Sequence, residues 1–469
     1  MRHGPALSAK EHMRRQRKKS TTQAALPVMR PDAAGIDVGA TEIYAAVPVE
    51  RDRERPVRCF PTFTEDLHAL ADWLEHCCIK TVAMESTSVY WIPLFQILEA
   101  RGLEICLVNA RHVKNVPGRK TDVSDCQWLQ YLHAVGLLRA SFRPEQTVCA
   151  VRSLLRHRES LVQMTGTHIH HMQKALDQMN LQLHHVISDI TGVTGLAIIE
   201  AVLKGERDPR VLAKLRNHRI KASEDTIAKS LVGDYRSEHL FTLRQSLTAY
   251  RSYQKLIEDC DEEIHRSLEE MDSKGDPPSA PPIVEETEKE AAGKSPFQLS
   301  EQLKRILGVD LTKVPSLGTL NVQILLGEIG PDLTKFRSAS AFASWLGLCP
   351  ANDISGGTVL RTGTRKVNSR AAKVLRLAAQ TLYRSKTPLG DFYRRMRAKL
   401  GGPKAVTATA HKLARIIYHL VTTGHAYDAT TFAKQQLRFQ KHLEAKLRGK
   451  ARELGFQLVP MDATFAQQI

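Results

Sequence analysis

Between Ala34 and Val108, short apolar runs alternate with turn residues, and this spacing constrains the fold more than any other feature of the chain. Gly35-Ile36-Asp37-Val38-Gly39 reads as a buried strand ending in a turn, and Ile43, Ala45, Val47 and Val49 then alternate as a half-buried strand does. A third strand is expected over 56–60, a fourth over Thr81-Val82-Ala83-Met84 and a fifth over Glu104–Val108. Thr64 is placed to cap a helix with Glu65 and Asp66 in its first turn and Leu67, Leu70, Ala71 and Leu74 on one face. A second helix runs to about Ala100, stopped by Gly102, and Trp128, Leu129, Leu132 and Val135 mark a third.

Beyond residue 145 the period changes. Leu161, Met164, Ile169, Met172, Leu176 and Met179 recur at spacings near three and four, which predicts a long amphipathic helix. A second helical stretch over 236–272 could return against it, or both could pair across a dimer. The chain therefore divides into a basic arm (1–30), an α/β domain (31–144) and a helical, coiled-coil dimerisation region (145–272). An acidic Pro-rich linker (273–300) leads to a mainly helical basic domain (301–428), then a charged helix and tail (429–469). Three neighbouring strands followed by alternating helix and strand give the first domain the order of a ribonuclease-H-like mixed sheet.

No apolar run approaches the roughly 20 residues of a membrane span, and the first residues are basic and polar, so a membrane or secreted protein is not expected. The eight cysteines are scattered without a C-x-x-C pair, which fits a reducing cytoplasm better than a disulfide framework. Charge is more informative. The formal net charge is +17, and it is uneven: residues 361–404 carry thirteen Lys/Arg against Asp391 alone. Concentrated positive charge suits a polyanion, because neutralising phosphates releases counterions; solvated helix faces are the plainer alternative.

Four carboxylates punctuate the α/β elements. Asp37 closes the first strand, Glu85 follows the fourth, and Asp122 and Asp125 open the helix after the fifth. In the expected sheet the ends of strands one and four lie side by side, and Asp122 and Asp125, three apart, share a helix face. Gathered acids repel unless cations sit among them, and hard oxygen donors suit Mg²⁺ or Mn²⁺. Singly, each acid reads more simply as a cap, a turn former or a salt-bridge partner. A basic loop with Arg111, Lys114, Arg119 and Lys120 lies beside them and would steer phosphates.

The segments GIDVG, AMESTSVYW and LVNARHVKNVPGRKTDVSD resemble the N-terminal domain of the DEDD transposases of bacterial insertion sequences, the IS-one-ten family, a domain similar to the junction resolvase RuvC. The middle stretch 188–209 and the block VPSLGTLNVQILLGEIG … FASWLGLCPANDISGG … ATAHKLARIIYHLVTTGHAYD resemble later parts of the same family, in the same order. The resemblance implies that Asp37, Glu85, Asp122 and Asp125 are the metal-binding acids. It also matches Ser355 to a catalytic serine that links covalently to DNA. Many relatives have a second serine just before it; Ile354 stands there in this chain. From spacing alone, Ser355 is a turn residue with no evident base beside it.

After Ser355 come Arg361, Arg365, Lys366, Arg370, Lys373 and Arg376, placed for phosphate contact. Arg394, Arg395, Arg397 and Lys399, with Phe392 and Tyr393, could track a backbone and stack on bases. Val314-Pro315-Ser316-Leu317-Gly318 resembles a helix-hairpin-helix turn, or a plain hairpin between packed helices. The histidines at 168, 170 and 171 receive no catalytic role, and 168 and 171 are expected on one face.

The expectation is thus a cytoplasmic, nucleoid-associated recombinase acting on donor and target DNA. The resemblance implies a non-coding bridge RNA as guide and homodimers assembling to a homotetramer. Three rivals stay open. Asp37-Val38-Gly39-Ala40-Thr41 resembles the phosphate loop of sugar kinases and actin-like ATPases, and a RuvC-like endonuclease or a non-catalytic nucleic-acid binder would share the charge.

Overall fold

The computed structural model describes residues 26–86, 88–109, 122–274 and 296–457. They divide into two compact units that part between Arg143 and Pro144.

The first unit is built on a five-stranded sheet: β1 (Ala33–Val38), β2 (Glu42–Ala46), β3 (Val57–Pro61), β4 (Thr81–Glu85) and β5 (Glu104–Val108). The strand order is 3-2-1-4-5. β1–β2–β3 form an antiparallel meander, while β1–β4 and β4–β5 are parallel, as crossovers through helices require. The crossover helices are α1 (Thr64–His76) and α2 (Trp91–Ala100). Thr64 does not cap α1: it is the first helical residue, Phe63 holds the cap position, and no side chain accepts a hydrogen bond there. Leu67, Leu70, Leu74, Leu94 and Leu98 close over Ala34, Ile36, Val82 and Met84 as one core. The other face of the sheet carries α3 (Asp122–Ala134), whose Cys126, Leu129, Leu132 and His133 are buried.

The second unit begins with α4 (Gln146–Gln178), continues through the short helices α5 (Leu183–Val186), α6 (Val193–Leu203), α7 (Pro209–Ala213) and α8 (Glu224–Ser230), and returns along α9 (Ser237–Glu269). α4 and α9 pack antiparallel within the one chain: the Cys260 thiol meets the Leu154 carbonyl, Arg158 pairs with Asp261, and the His168 ring stacks on Tyr253 with centroids 5.3 Å apart. Leu161, Met172, Leu176 and Met179 are buried as their spacing predicts, and Ile169 is partly so. Met164 is not; it stays 44% exposed, because the partner helix covers only one stripe of α4. At the tip, α5–α8 wrap their apolar residues around Met172, Leu176, Leu243 and Leu247.

The remaining helices are α10 (Pro296–Leu307), α11 (Thr319–Ile329), α12 (Ala339–Trp345), α13 (Arg370–Thr381), α14 (Pro388–Leu400), α15 (Gly402–Thr423) and α16 (Thr430–Glu453), with a two-stranded hairpin, β6 (Asp353–Ser355) and β7 (Thr358–Arg361), between α12 and α13. Arg152 of α4 donates to the carbonyls of Gly327 and Glu328, at 3.0 and 2.8 Å, and Arg156 grips the Glu328 carboxylate at 3.0 Å. These contacts tie α11 to α4. Phe336, Phe342, Trp345 and Tyr418 form an aromatic cluster where α12 meets α15. All eight cysteines are free.

Candidate active site

Strand alternation sorts β1 and β4 into two faces. Ala34, Ile36, Val38, Val82 and Met84 point into the core under α1 and α2, whereas Ala83 belongs to the opposite face, with Cys106, Val108 and Leu129 of α3. Asp37 and Glu85 therefore fall on the α3 face. Ile36 pairs in register with Met84, so Asp37 and Glu85 are the next residues along two adjacent parallel strands. Glu85 is held in register with Val108 of β5, and the following residue, Ser86, donates both its amide and its hydroxyl to the Val108 carbonyl.

The third carboxylate arrives on α3, and here a glycine decides the geometry. A Cβ on Gly35 would stand 2.2 Å from the Gln130 nitrogen and 2.3 Å from the Cys126 carbonyl oxygen. Only glycine lets the backbone of α3 lie so close on β1. Gln130 adds a side-chain bond to the Ala33 carbonyl at 3.2 Å, and His133 meets the Thr81 hydroxyl at 2.8 Å. The first turn of α3, with Asp125 half-buried, is thus drawn over the end of β1. An electrostatic trace of the gathering lies on Cys126: burial first, and then the charges of Asp37 and Asp125, push its thiol pKa up to about 12. Asp122 opens the same helix; its side chain, and all of Arg111, Lys114, Arg119 and Lys120, lie outside the described residues.

Gly35, Cys126 and Gln130 escaped the sequence reading as site-building residues. The signal for the first was present, since glycine inside a strand marks a close backbone approach. Nothing in the sequence pointed to the other two. The donors present fit the implied cation: Asp37, Glu85 and Asp125 offer only hard carboxylate oxygens, from one face of one sheet and the helix above it.

Ser355 sits in the second unit. It ends β6 and pairs with Thr358 across Gly356 and Gly357, whose φ angles are +55° and +79°. Two consecutive positive φ values define the tight hairpin turn that favours Gly-Gly. Asp353, Ile354 and Ser355 are exposed, and a Cβ at either glycine would meet nothing within 4 Å. Arg361 faces Asp353 across the hairpin, and Lys366 is exposed.

The rest of the basic run is partly committed to the fold. Arg365 donates to the Ser344 carbonyl and Arg376 to that of Gly347, while Arg370 and Lys373 both pair with Glu159 of α4. Arg394 is spent on the Tyr383 and Ser385 carbonyls and Asp391. Tyr393 is only 5% exposed, so it cannot stack on bases as the sequence suggested; its ring belongs to the core beside Tyr383. His168 and His171 do share a face, with ring centroids 5.7 Å apart. Ser316 lies in the turn before α11 at φ +78°.

Residues 34–181 match a family model described as a transposase, the DEDD domain of the IS110 type, and residues 309–394 match one described as "Transposase IS116/IS110/IS902 family". A protein of Sinorhizobium fredii (strain NBRC 101917 / NGR234), named "Putative transposase y4pF/y4sB", is 30% identical over 144 residues, which cover 28% of this chain and 36% of that protein. The chain thus spans about a third of the length of the curated relative it matches. An α/β unit with carboxylates on adjacent strand ends, followed by a helical basic unit, places the chain in the class of DEDD-domain proteins. Both matched segments point to transposases of the same IS110 type, and together they span about half of the chain. No helix among the described residues is long and apolar enough to cross a membrane.

Proposed function

We propose that this chain is the DNA transposase of an insertion sequence, cutting and rejoining donor and target DNA with an RuvC-like acidic centre and a serine nucleophile. The observation that carries the reading is the adjacency of Asp37 and Glu85 at the ends of paired strands, on the face covered by the first turn of α3. Asp37, Glu85, Asp122 and Asp125 would hold Mg²⁺ or Mn²⁺. When bound, the cation offsets phosphate charge and polarises the scissile bond.

The chain's own residues supply the rest. The Ser355 hydroxyl attacks phosphorus, an Oγ–P bond forms, the bond from phosphorus to a deoxyribose oxygen breaks, and that oxygen takes the proton. Rejoining reverses the step with a different deoxyribose hydroxyl, so no water is consumed. Arg361, which ends β7, and Lys366, five residues further on, hold the phosphate backbone. Sequence choice would rest on a bridge RNA that pairs with donor and target. The +17 charge serves both nucleic acids, and the working assembly would be two dimers forming a tetramer.

Two measurements test this. Glu85→Gln should abolish strand cleavage while leaving DNA binding nearly intact; undiminished cleavage rejects the metal assignment. Denatured reaction mixtures should contain one DNA strand covalently joined through Ser355. Only free nicked ends would favour a hydrolytic, structure-specific endonuclease instead.

A further inference from the structure

The turn that joins α4 to α5 carries a constellation that the acidic centre does not use. Asp177 lies in the last turn of α4, and His184 and His185 lie in α5. One ligand atom from each residue lies within 4.8 Å of the other two. The Nε2 of His184 is 3.5 Å from the Asp177 carboxylate, and the two imidazole rings are 4.0 Å apart at a 40° tilt.

We propose that Asp177, His184 and His185 form a binding site for a borderline divalent transition-metal ion, with Zn²⁺ or Co²⁺ as the representative occupant. Two imidazoles and one carboxylate are a donor set suited to such ions, with the remaining positions left to water. Mg²⁺ prefers an all-oxygen shell and is a poor match. The site therefore differs in chemistry from the carboxylate face of the first unit.

The scaffold is fixed before any ion arrives. Met179, Leu181 and Leu183 are fully buried on either side of the turn. The Asn180 amide donates to the Asp177 carbonyl at 2.9 Å, Leu181 to Leu176 at 2.8 Å, and Gln182 to Ser230 at 2.8 Å. Asn180 turns the chain at φ +56°. Little backbone entropy remains to be lost on binding, which is the usual advantage of preorganisation. The Asp177 carboxylate is 52% exposed and the His184 side chain 18%, so an ion enters from solvent. Once seated, it ties the end of α4 to α5 and tightens the tip formed by α5–α8.

Untagged full-length protein in excess Mg²⁺, which saturates all-oxygen sites, is titrated with Co²⁺ and followed by its visible d–d absorption. The expected result is one Co²⁺ per chain, displaced by Zn²⁺, with Zn²⁺ raising the Tm. Asp177→Asn and His185→Asn should each weaken binding about tenfold or more, and the double change His184→Asn with His185→Asn should abolish both the band and the Tm rise. Circular dichroism identifies any variant that fails to fold, and Asp177→Asn, an exposed isosteric change, keeps the test valid in that event. A simple Asp177–His184 ion pair predicts no Co²⁺ band in the parent protein, and that result overturns the proposal. So does a band that persists in Asp177→Asn and in the double variant, or one that excess Mg²⁺ removes.

Discussion

The acidic face of the first unit and the Ser355 hairpin of the second are built in opposite ways. Asp37 and Glu85 extend from strands buried on both sides, and Asp125 rides on a helix pressed against a glycine with no room for a methyl group. Ser355 stands on a two-stranded hairpin, exposed along both strands, whose turn glycines face open space. The first arrangement is fixed by folding. The second is held by its own cross-strand pairing, with no packing around its turn glycines. On the proposed reading, a nucleophile that must reach a phosphate suits an exposed hairpin, whereas carboxylates that must gather against their own repulsion need a rigid sheet.

Substitutions can break or sharpen this contrast. Gly35→Ala should have the largest effect, because its Cβ collides with α3 backbone rather than with a movable side chain. Overpacking of this kind costs about 1–3 kcal/mol, and displacing Asp125 should lower strand cleavage about 100-fold or more. Cleavage at near-normal rate in a folded Gly35→Ala protein would mean that α3 does not position the site.

Acid should loosen the same clamp. Burial, and then the Arg30 guanidinium, hold the His133 pKa down to about 4 from 6.5. As pH falls, the unfolded chain takes up this proton first, so stability is lost from about pH 6.5 down to about pH 4. Between pH 7 and 4.5 the loss from this group is about 2–3 kcal/mol. Urea titrations at the two pH values should show His133→Gln losing less than the parent protein by that amount; equal losses would show that His133 titrates normally.

Gly356→Ala tests the other side. An alanine at φ +55° is strained by about 1–2 kcal/mol, but the strain falls on a hairpin that touches little else. The Tm should move by a degree or two at most while the yield of protein–DNA adduct falls about tenfold. A Tm drop as large as that of Gly35→Ala would show that the hairpin is part of the folded core.

The smallest effect separates two bases in one run. Lys366→Gln should reduce the slope of log affinity against log salt by about one, as loss of a single phosphate contact does. Arg376→Gln, whose guanidinium serves the Gly347 carbonyl, should leave the slope unchanged. Identical slopes for both variants would remove Lys366 from the nucleic-acid surface.

How much of this was legible beforehand depended on range. The alternation of Ile43 and Ala45, and the helical spacing of Leu67, Leu70 and Leu74, record local periods and mark β2 and α1, but β2 ends at Ala46 and Val49, placed in the same alternation, is 58% exposed. The β6–β7 hairpin is also written in the chain, as Ile354-Ser355-Gly356-Gly357-Thr358-Val359, where residue spacing around Ser355 predicts only a turn in a helical domain. Gly-Gly between β-branched residues is a hairpin signal in its own right. By contrast, Glu159 binding Arg370 and Lys373 joins positions more than two hundred residues apart, and no local pattern announces it. Tyr393 looked available for stacking because a helix face cannot be told apart from its neighbours until its partner is known.

Sequence alone determined the kinds of element, their order, the placing of acids at element ends and the crowding of positive charge in the C-terminal third, since each follows from residue type and near-neighbour spacing. Tertiary structure decided which strand ends adjoin, which face Asp37 and Glu85 share, and which arginines are free for a phosphate. Those outcomes depend on pairing and packing between distant segments, which no local pattern of residues records.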